Sequence, residues 1–167
     1  MLINLTLFAQ IGQAVNPEIP VPKDYLKLEP VSLNVGDFAK LERTFTEDDT
    51  KNFANAIKDE HAIHLNPDNI KTFAEKDSTY GMFSSSMFTS IIRKYFPTAV
   101  YLKQQLKFKL PVFLNEKVKA TMVVRDIHDE KKIVTFDTII SKTNGSSIEK
   151  VAIEGEAQII IPTLKVR

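Results

Sequence analysis

A chain of 167 residues with a formal net charge of +1 has room for one domain with a proper core. Its 22 basic and 21 acidic residues nearly cancel, so no basic face for nucleic acid is expected, and zero cysteines exclude disulfides, thiolate catalysis and cysteine-based metal sites. No run of about 18 uncharged apolar residues occurs, which argues against a membrane-spanning helix.

The segment from Met1 to Pro22 has no Lys or Arg and a single acid, Glu18. A signal peptide needs a basic start and a mitochondrial presequence needs arginine, so the segment is expected to belong to the working protein. Leu5, Phe8, Ile11 and Val15 fall near helical spacing and predict a short amphipathic helix that seeks a partner surface. Pro17, Pro20, Pro22 and Pro30 then mark an extended stretch. Residues 1–36 therefore read as an N-terminal arm and 37–167 as the folded domain.

Within the domain, FAKLERTF alternates weakly and predicts a first strand. Thr46 followed three residues later by Asp49 is an N-terminal capping pair, and Phe53, Ala54, Ala56 and Ile57 give the apolar face of a helix from Glu47 to about Lys58. Asn66-Pro67 predicts a second short helix reaching about Ala74. YGMFSSSMFTSIIRKYF, Tyr80 to Phe96, predicts a buried central helix: apolar pairs recur about four apart, small hydroxyls separate them, and Pro97 ends it. Gly81 at its start leaves the first-turn N–H groups open to a carbonyl oxygen or an anion.

Beyond Pro97 the period changes to two. Leu102, Gln104, Leu106, Phe108 and Leu110 alternate with Lys103, Gln105, Lys107 and Lys109, as in a half-buried strand. Three further strands are predicted, at about 117–126, 132–142 and 147–161, with turns at His128-Asp129-Glu130 and Asn144-Gly145. Helices followed by an antiparallel meander give an α+β domain whose apolar sheet face wraps the central helix.

Asp59, Glu60, His61 and His64 form the one dense cluster of proton-handling groups. On a continuous helix, five residues turn the chain by about 500°, which leaves Asp59 and His64 about 140° apart around the axis. If the helix ends near Lys58, both can face one opening and share acid/base work on a water. The bland reading is a solvated, charged helix end. A zinc site on His61 and His64 is weaker still, because neither a cysteine nor an HExxH motif supports it. Ser86, Thr89 and Gln104 are polar residues in apolar settings, for which core hydrogen bonding is the dull explanation and substrate contact the sharper one.

FANAIKDEHAIHLNPDNIKTF, YGMFSSSMFTSII, VYLKQQLKFKLPVFLNEKV and EGEAQIIIP together resemble, in order and spacing, the (R)-specific enoyl-CoA hydratases of the MaoC-like hot-dog family, over roughly Phe45 to Pro162. The resemblance implies a hot-dog fold, with an antiparallel sheet around a long central helix, working as a homodimer or paired with another hot-dog subunit. It also implies hydration of 2-enoyl, or dehydration of 3-hydroxyacyl, thioesters of CoA or acyl-carrier protein, without a metal or other cofactor. Asp59 and His64 match the catalytic positions of the family's Asp-x-Asn-Pro-x-His motif. Gly81 matches the glycine whose N–H polarises the thioester carbonyl. Thr89, Gln104, Tyr80 and His61 fall at or beside substrate-contacting positions. His61 and Ala62 stand where the motif has Asn and Pro, and Tyr80 stands where the family has His. These departures carry an alternative: a catalytically inactive hot-dog subunit with a structural role in a larger assembly, reached through residues 1–22. The family's range implies a mitochondrial location, with the cytoplasm as the alternative.

Overall fold

The computed structural model describes residues 17–23, 29–59, 78–142 and 149–165. Its elements are β1 (Phe38–Thr44), α1 (Glu47–Ile57), α2 (Gly81–Ser85), α3 (Met87–Tyr95), β2 (Val100–Phe108), β3 (Lys117–His128), β4 (Ile133–Lys142) and β5 (Lys150–Ile160). The strands form one five-stranded sheet in the order β1-β3-β4-β5-β2, and each named pairing is antiparallel. β3, β4 and β5 make the expected meander, but β2 pairs with β5 at the far edge, not with β3. Sequence order alone could not choose between those edges.

Alternation on β3, β4 and β5 places Val118, Ala120, Met122, Val134, Phe136, Ile140, Ile153, Ala157 and Ile159 on one buried face. Against it lie Met87, Phe88, Ile91, Ile92 and Tyr95 of α3, with α3 in contact with β1 and β3. Each such fully buried side chain contributes about 1.5–3 kcal/mol. The sheet covers only one side of the helix, so Thr89, Ser90, Arg93 and Lys94 are exposed, as is Met82 of α2. The central helix is thus one-sided, and α2 runs into α3 through Ser86, which keeps helical angles of φ −61° and ψ −15°.

Serines line the join between α2 and α3. Ser84 Oγ donates to the carbonyls of Tyr80 and Gly81, Ser85 Oγ donates to Gly81 O at 2.7 Å, and Ser86 Oγ donates to Phe83 O at 2.6 Å. Such back-bonding satisfies the hydroxyls inside an apolar setting. Ser86 sits at the junction, its N–H shared between Met82 O and Phe83 O at 3.1 and 3.0 Å.

The expected apolar face of β2 is shifted. A bulge between Tyr101 and Lys103 puts Tyr101 on the half-buried side with Gln104 and Leu106 and leaves Leu102 exposed; Phe108 keeps the parity of Gln104 and Leu106, opposite Ile153, but is exposed at the strand's end, as is Leu110 beyond it. On α1, Thr50 and Ala54 are buried, whereas Ala56 and Ile57 face outward. The turn after His128 forms as expected, with Lys132 N–H donating to Asp129 O at 3.1 Å. The helix expected at 67–74 and the Asn144-Gly145 turn lie outside the described residues. So does the amphipathic segment 1–16. Of the arm, Ile19 is buried, its N–H donating to Phe38 O at 2.8 Å, and Glu18 accepts from the Tyr95 hydroxyl at 2.7 Å. No helix among the described residues is long and apolar enough to cross a membrane.

Candidate active site

The site is built where α1 ends over the start of α2. Thr46 caps α1: its hydroxyl accepts from Asp49 N at 3.1 Å, while Asp49 Oδ2 accepts from Thr46 N at 3.0 Å. These bonds satisfy two orphan donors at once. At the other end Lys58 turns left-handed, with φ 56°, although it is not glycine. Lys58 N–H donates to Asn55 O at 3.2 Å and Asp59 N–H to Ala54 O at 2.9 Å, the paired bonds of a Schellman ending. The backbone therefore leaves the helix at Lys58, with no proline or glycine to force it, and Asp59 is set off the helical path.

Three contacts tie that end to the central helix. The buried Thr50 hydroxyl donates to Thr79 Oγ1 at 3.0 Å. The Phe53 ring packs on the Tyr80 ring, with centroids 5.2 Å apart, and stacks on Phe83 at 4.7 Å. The Tyr80 hydroxyl donates to Asp59 Oδ2 at 2.7 Å. Burial of the phenol, then the hydrogen bond and charge of Asp59, push Tyr80 up to about 12. It keeps its proton throughout the physiological range and acts toward Asp59 as a donor.

Tyr80 and Gly81 open onto a cleft of about 490 Å³ that is walled further by Met82, Phe108, Leu110 and Ile153. Its mostly apolar walls, with a few polar groups at one end, suit an acyl chain whose polar head lies at the helix start. The first α-helical bond of α2 runs from Ser84 N–H to Tyr80 O, so the N–H groups of Gly81, Met82 and Phe83 precede it. The loop forming one wall is anchored from beneath. Lys142, 4% exposed, donates to Pro111 O at 2.6 Å and pairs with Glu116 Oε2 at 3.2 Å.

The fold therefore brings Asp59 to Tyr80, and Tyr80 with Gly81 to the cleft, whose lining does not include Asp59. His61 and His64 lie outside the described residues. Gln104 is spent inside the sheet: its amide nitrogen donates to Gln105 O, Thr138 Oγ1 and Glu156 O, and its oxygen accepts from the Tyr101 hydroxyl. Thr89 is exposed on α3, and neither it nor Gln104 lines the cleft. Phe108, Ile153 and Lys142 were not anticipated as site residues. Lys142 had a legible signal, since it occupies the parity of Val134, Phe136, Thr138 and Ile140 and so points a charge to the apolar face.

Residues 36–145 match the family described as MaoC like domain. Over 135 residues the chain is 35% identical to the mitochondrial 3-hydroxyacyl-[acyl-carrier-protein] dehydratase of Arabidopsis thaliana, covering 79% of this chain and 80% of that protein. It is 34% identical over 134 residues to the (R)-specific enoyl-CoA hydratase of Aeromonas caviae, covering 78% of this chain and 97% of that one. The solved structure of the A. caviae (R)-hydratase superposes with a TM-score of 0.71 at 33% identity, over 78% of this chain and 98% of that chain. The fold alone is shared with the HadBC (3R-hydroxyacyl-ACP dehydratase) complex of Mycobacterium tuberculosis, with a TM-score of 0.60, 14% identity, and coverage of 73% of this chain and 93% of that chain. Relatives of this fold thus occur in complexes.

Proposed function

Because the chain belongs to the MaoC-like hot-dog family of (R)-specific enoyl-CoA hydratases and 3-hydroxyacyl-[acyl-carrier-protein] dehydratases, we propose that it is itself an (R)-specific hydratase or dehydratase of 2-enoyl and 3-hydroxyacyl thioesters. The observation that carries this reading is the left-handed turn at Lys58, which frees Asp59 from the helix beside the cleft that starts at Tyr80 and Gly81. Asp59 with His64 takes a proton from water as its oxygen attacks the β-carbon. The π electrons move onto the thioester carbonyl, where the Gly81 N–H stabilises the growing negative charge. The same pair then returns that proton to the α-carbon, which completes the addition and restores the pair to its starting state. One water is consumed, nothing is oxidised or reduced, and the chemistry calls for no metal or redox cofactor; the CoA or acyl-carrier arm belongs to the substrate.

The test follows loss of absorbance of crotonyl-CoA and of longer enoyl thioesters. Wild type should hydrate at least one, and Asp59→Ala or His64→Ala should lose about 100-fold or more, the usual weight of a general acid/base. Activity that survives Asp59→Ala would sink the mechanism. One observation favours a second reading: the Tyr80 hydroxyl already occupies Asp59 Oδ2. A catalytically inactive subunit that keeps the hot-dog shape for a structural role would leave every chain length untouched.

For association, we propose that β2 meets a second copy or another hot-dog subunit. Val100 and Leu102 on this edge strand are 52% and 47% exposed, and exposed apolar side chains on an unpaired edge call for a partner. A mitochondrial location is supported by the similarity to the mitochondrial dehydratase of A. thaliana, with the cytoplasm as the alternative. Residues 1–22 are proposed as the contact to a larger assembly. Deleting residues 1–16 should weaken that association, and unchanged co-purification would show the segment idle.

A further inference from the structure

The left-handed turn at Lys58 sets Asp59 off the path of α1, with its N–H held by Ala54 O at 2.9 Å and its carboxylate directed at the central helix. The Tyr80 hydroxyl, 21 positions along the chain, reaches Asp59 Oδ2 at 2.7 Å. That hydroxyl is itself held firmly. Its ring packs on Phe53, Phe53 stacks on Phe83 with planes 11° apart, and Phe83 meets the buried Phe45 edge-on at 4.9 Å. The Arg43 guanidinium closes the series, 4.8 Å from the Phe45 ring centre and 5.3 Å from that of Phe83. A donor on a braced ring, at the mouth of the cleft, is the arrangement that preorganises a reacting carboxylate.

We infer that Tyr80 is a positioning residue: its hydroxyl orients Asp59 for the water step and takes no part in binding the thioester. The inference rests on the hydratase reading and deepens it. The predicted signature is a loss in kcat that runs entirely through Asp59.

The experiment is a double-mutant cycle on the full chain with an enoyl-CoA that the wild type hydrates. Tyr80→Phe removes one oxygen and keeps the ring against Phe53, and its unfolding midpoint serves as the folding control. Its kcat should fall about 10-fold or more with KM changed by less than about twofold, the pattern of an interaction that matters in the transition state. In the Asp59→Asn background the same change should cost nothing further. Wild-type kcat in Tyr80→Phe beside a dead Asp59→Asn would overturn the inference and leave the hydratase reading standing. So would a loss confined to KM, or one that persists in full without the carboxylate, since either would place the hydroxyl on the substrate. A wild type inert on every thioester, or a fully active Asp59→Asn, would instead overturn the hydratase reading, and the positioning role with it.

Discussion

A Cβ built on Gly81 would lie 2.7 Å from Cε1 and 2.8 Å from Cδ1 of Phe108, so the ring at the end of the edge strand fills the space that any larger residue would need. Gly81 is helical, and what it supplies is room, not an unusual backbone angle. Gly81→Ala must push the half-exposed ring into the cleft, because both residues line it. Stability should fall by only about 1 kcal/mol, as the ring can swing. Hydration should fall much further, and the double variant with Phe108→Ala should recover part of it. Steady-state kinetics of the two variants decide the matter: an alanine at 81 with unchanged kcat/KM would remove this glycine from the site.

That contact also separates what the sequence disclosed from what it hid. Local signals were legible: the Thr46–Asp49 cap, the period-two strands and the greasy helix all follow from neighbours within a few residues. The need for a break near Lys58 was legible as geometry. Its means was not, because a left-handed lysine carries no residue signal of the kind that Gly or Pro gives. Non-local partners were hidden. Nothing in YGMFSSS says that Tyr80 meets Asp59, nor does LKFKL say that the Phe108 ring will lie against Gly81. Family likeness pointed to Asp59, Gly81 and His64, the last outside the described residues, and to Gln104 as a substrate contact, whereas the Gln104 amide is taken up by hydrogen bonds within the sheet.

The left-handed Lys58 gives a stabilising substitution. A non-glycine residue at φ 56° carries a penalty of about 1 kcal/mol that glycine escapes. Lys58→Gly should therefore stabilise the protein by about 1 kcal/mol, raising Tm by about 2–4 °C, with hydration unchanged. Lys58→Val, β-branched, should do the reverse. Thermal unfolding curves that coincide for all three proteins would mean that α1 does not end in this way.

Alkali should unfold the protein through its phenols. Burial is the leading cause that pushes Tyr80, Tyr95 and Tyr101 up to about 12, aided at Tyr80 by Asp59 and at Tyr95 by Glu18. An unfolded tyrosine ionises near 10. The folded pKa values are therefore raised: their contribution is complete below about 10 and is lost as pH climbs from about 10 through about 12. Tyrosinate absorbance should rise together with the loss of near-ultraviolet circular dichroism in that window. Tyr95→Phe should shift the transition toward higher pH. Three phenols that titrate near 10 with the fold intact would contradict the burial described.

Gly155 carries the sheet's tightest approach. A Cβ there would fall 1.9 Å from the carbonyl oxygen of Gln105 and 2.9 Å from its carbon, both backbone atoms of the neighbouring strand. Unlike the Phe108 ring, a strand backbone cannot swing aside without breaking its ladder to β5. Gly155→Ala should therefore destabilise by about 3 kcal/mol or more, the range of severe overpacking. The loss should concentrate on β2, which holds its place only through β5 among the described strands. Because β2 bears Phe108 at the cleft and the Gln104 network, its release should abolish activity even where the rest of the sheet stays folded. Hydrogen exchange checks this directly: amides of Tyr101–Phe108 should lose protection in Gly155→Ala before those of β3 and β4. Uniform protection with a stability change under about 1 kcal/mol would mean that β2 can slide away from the bulge at Tyr101 and Lys103, and that the close approach is not a constraint.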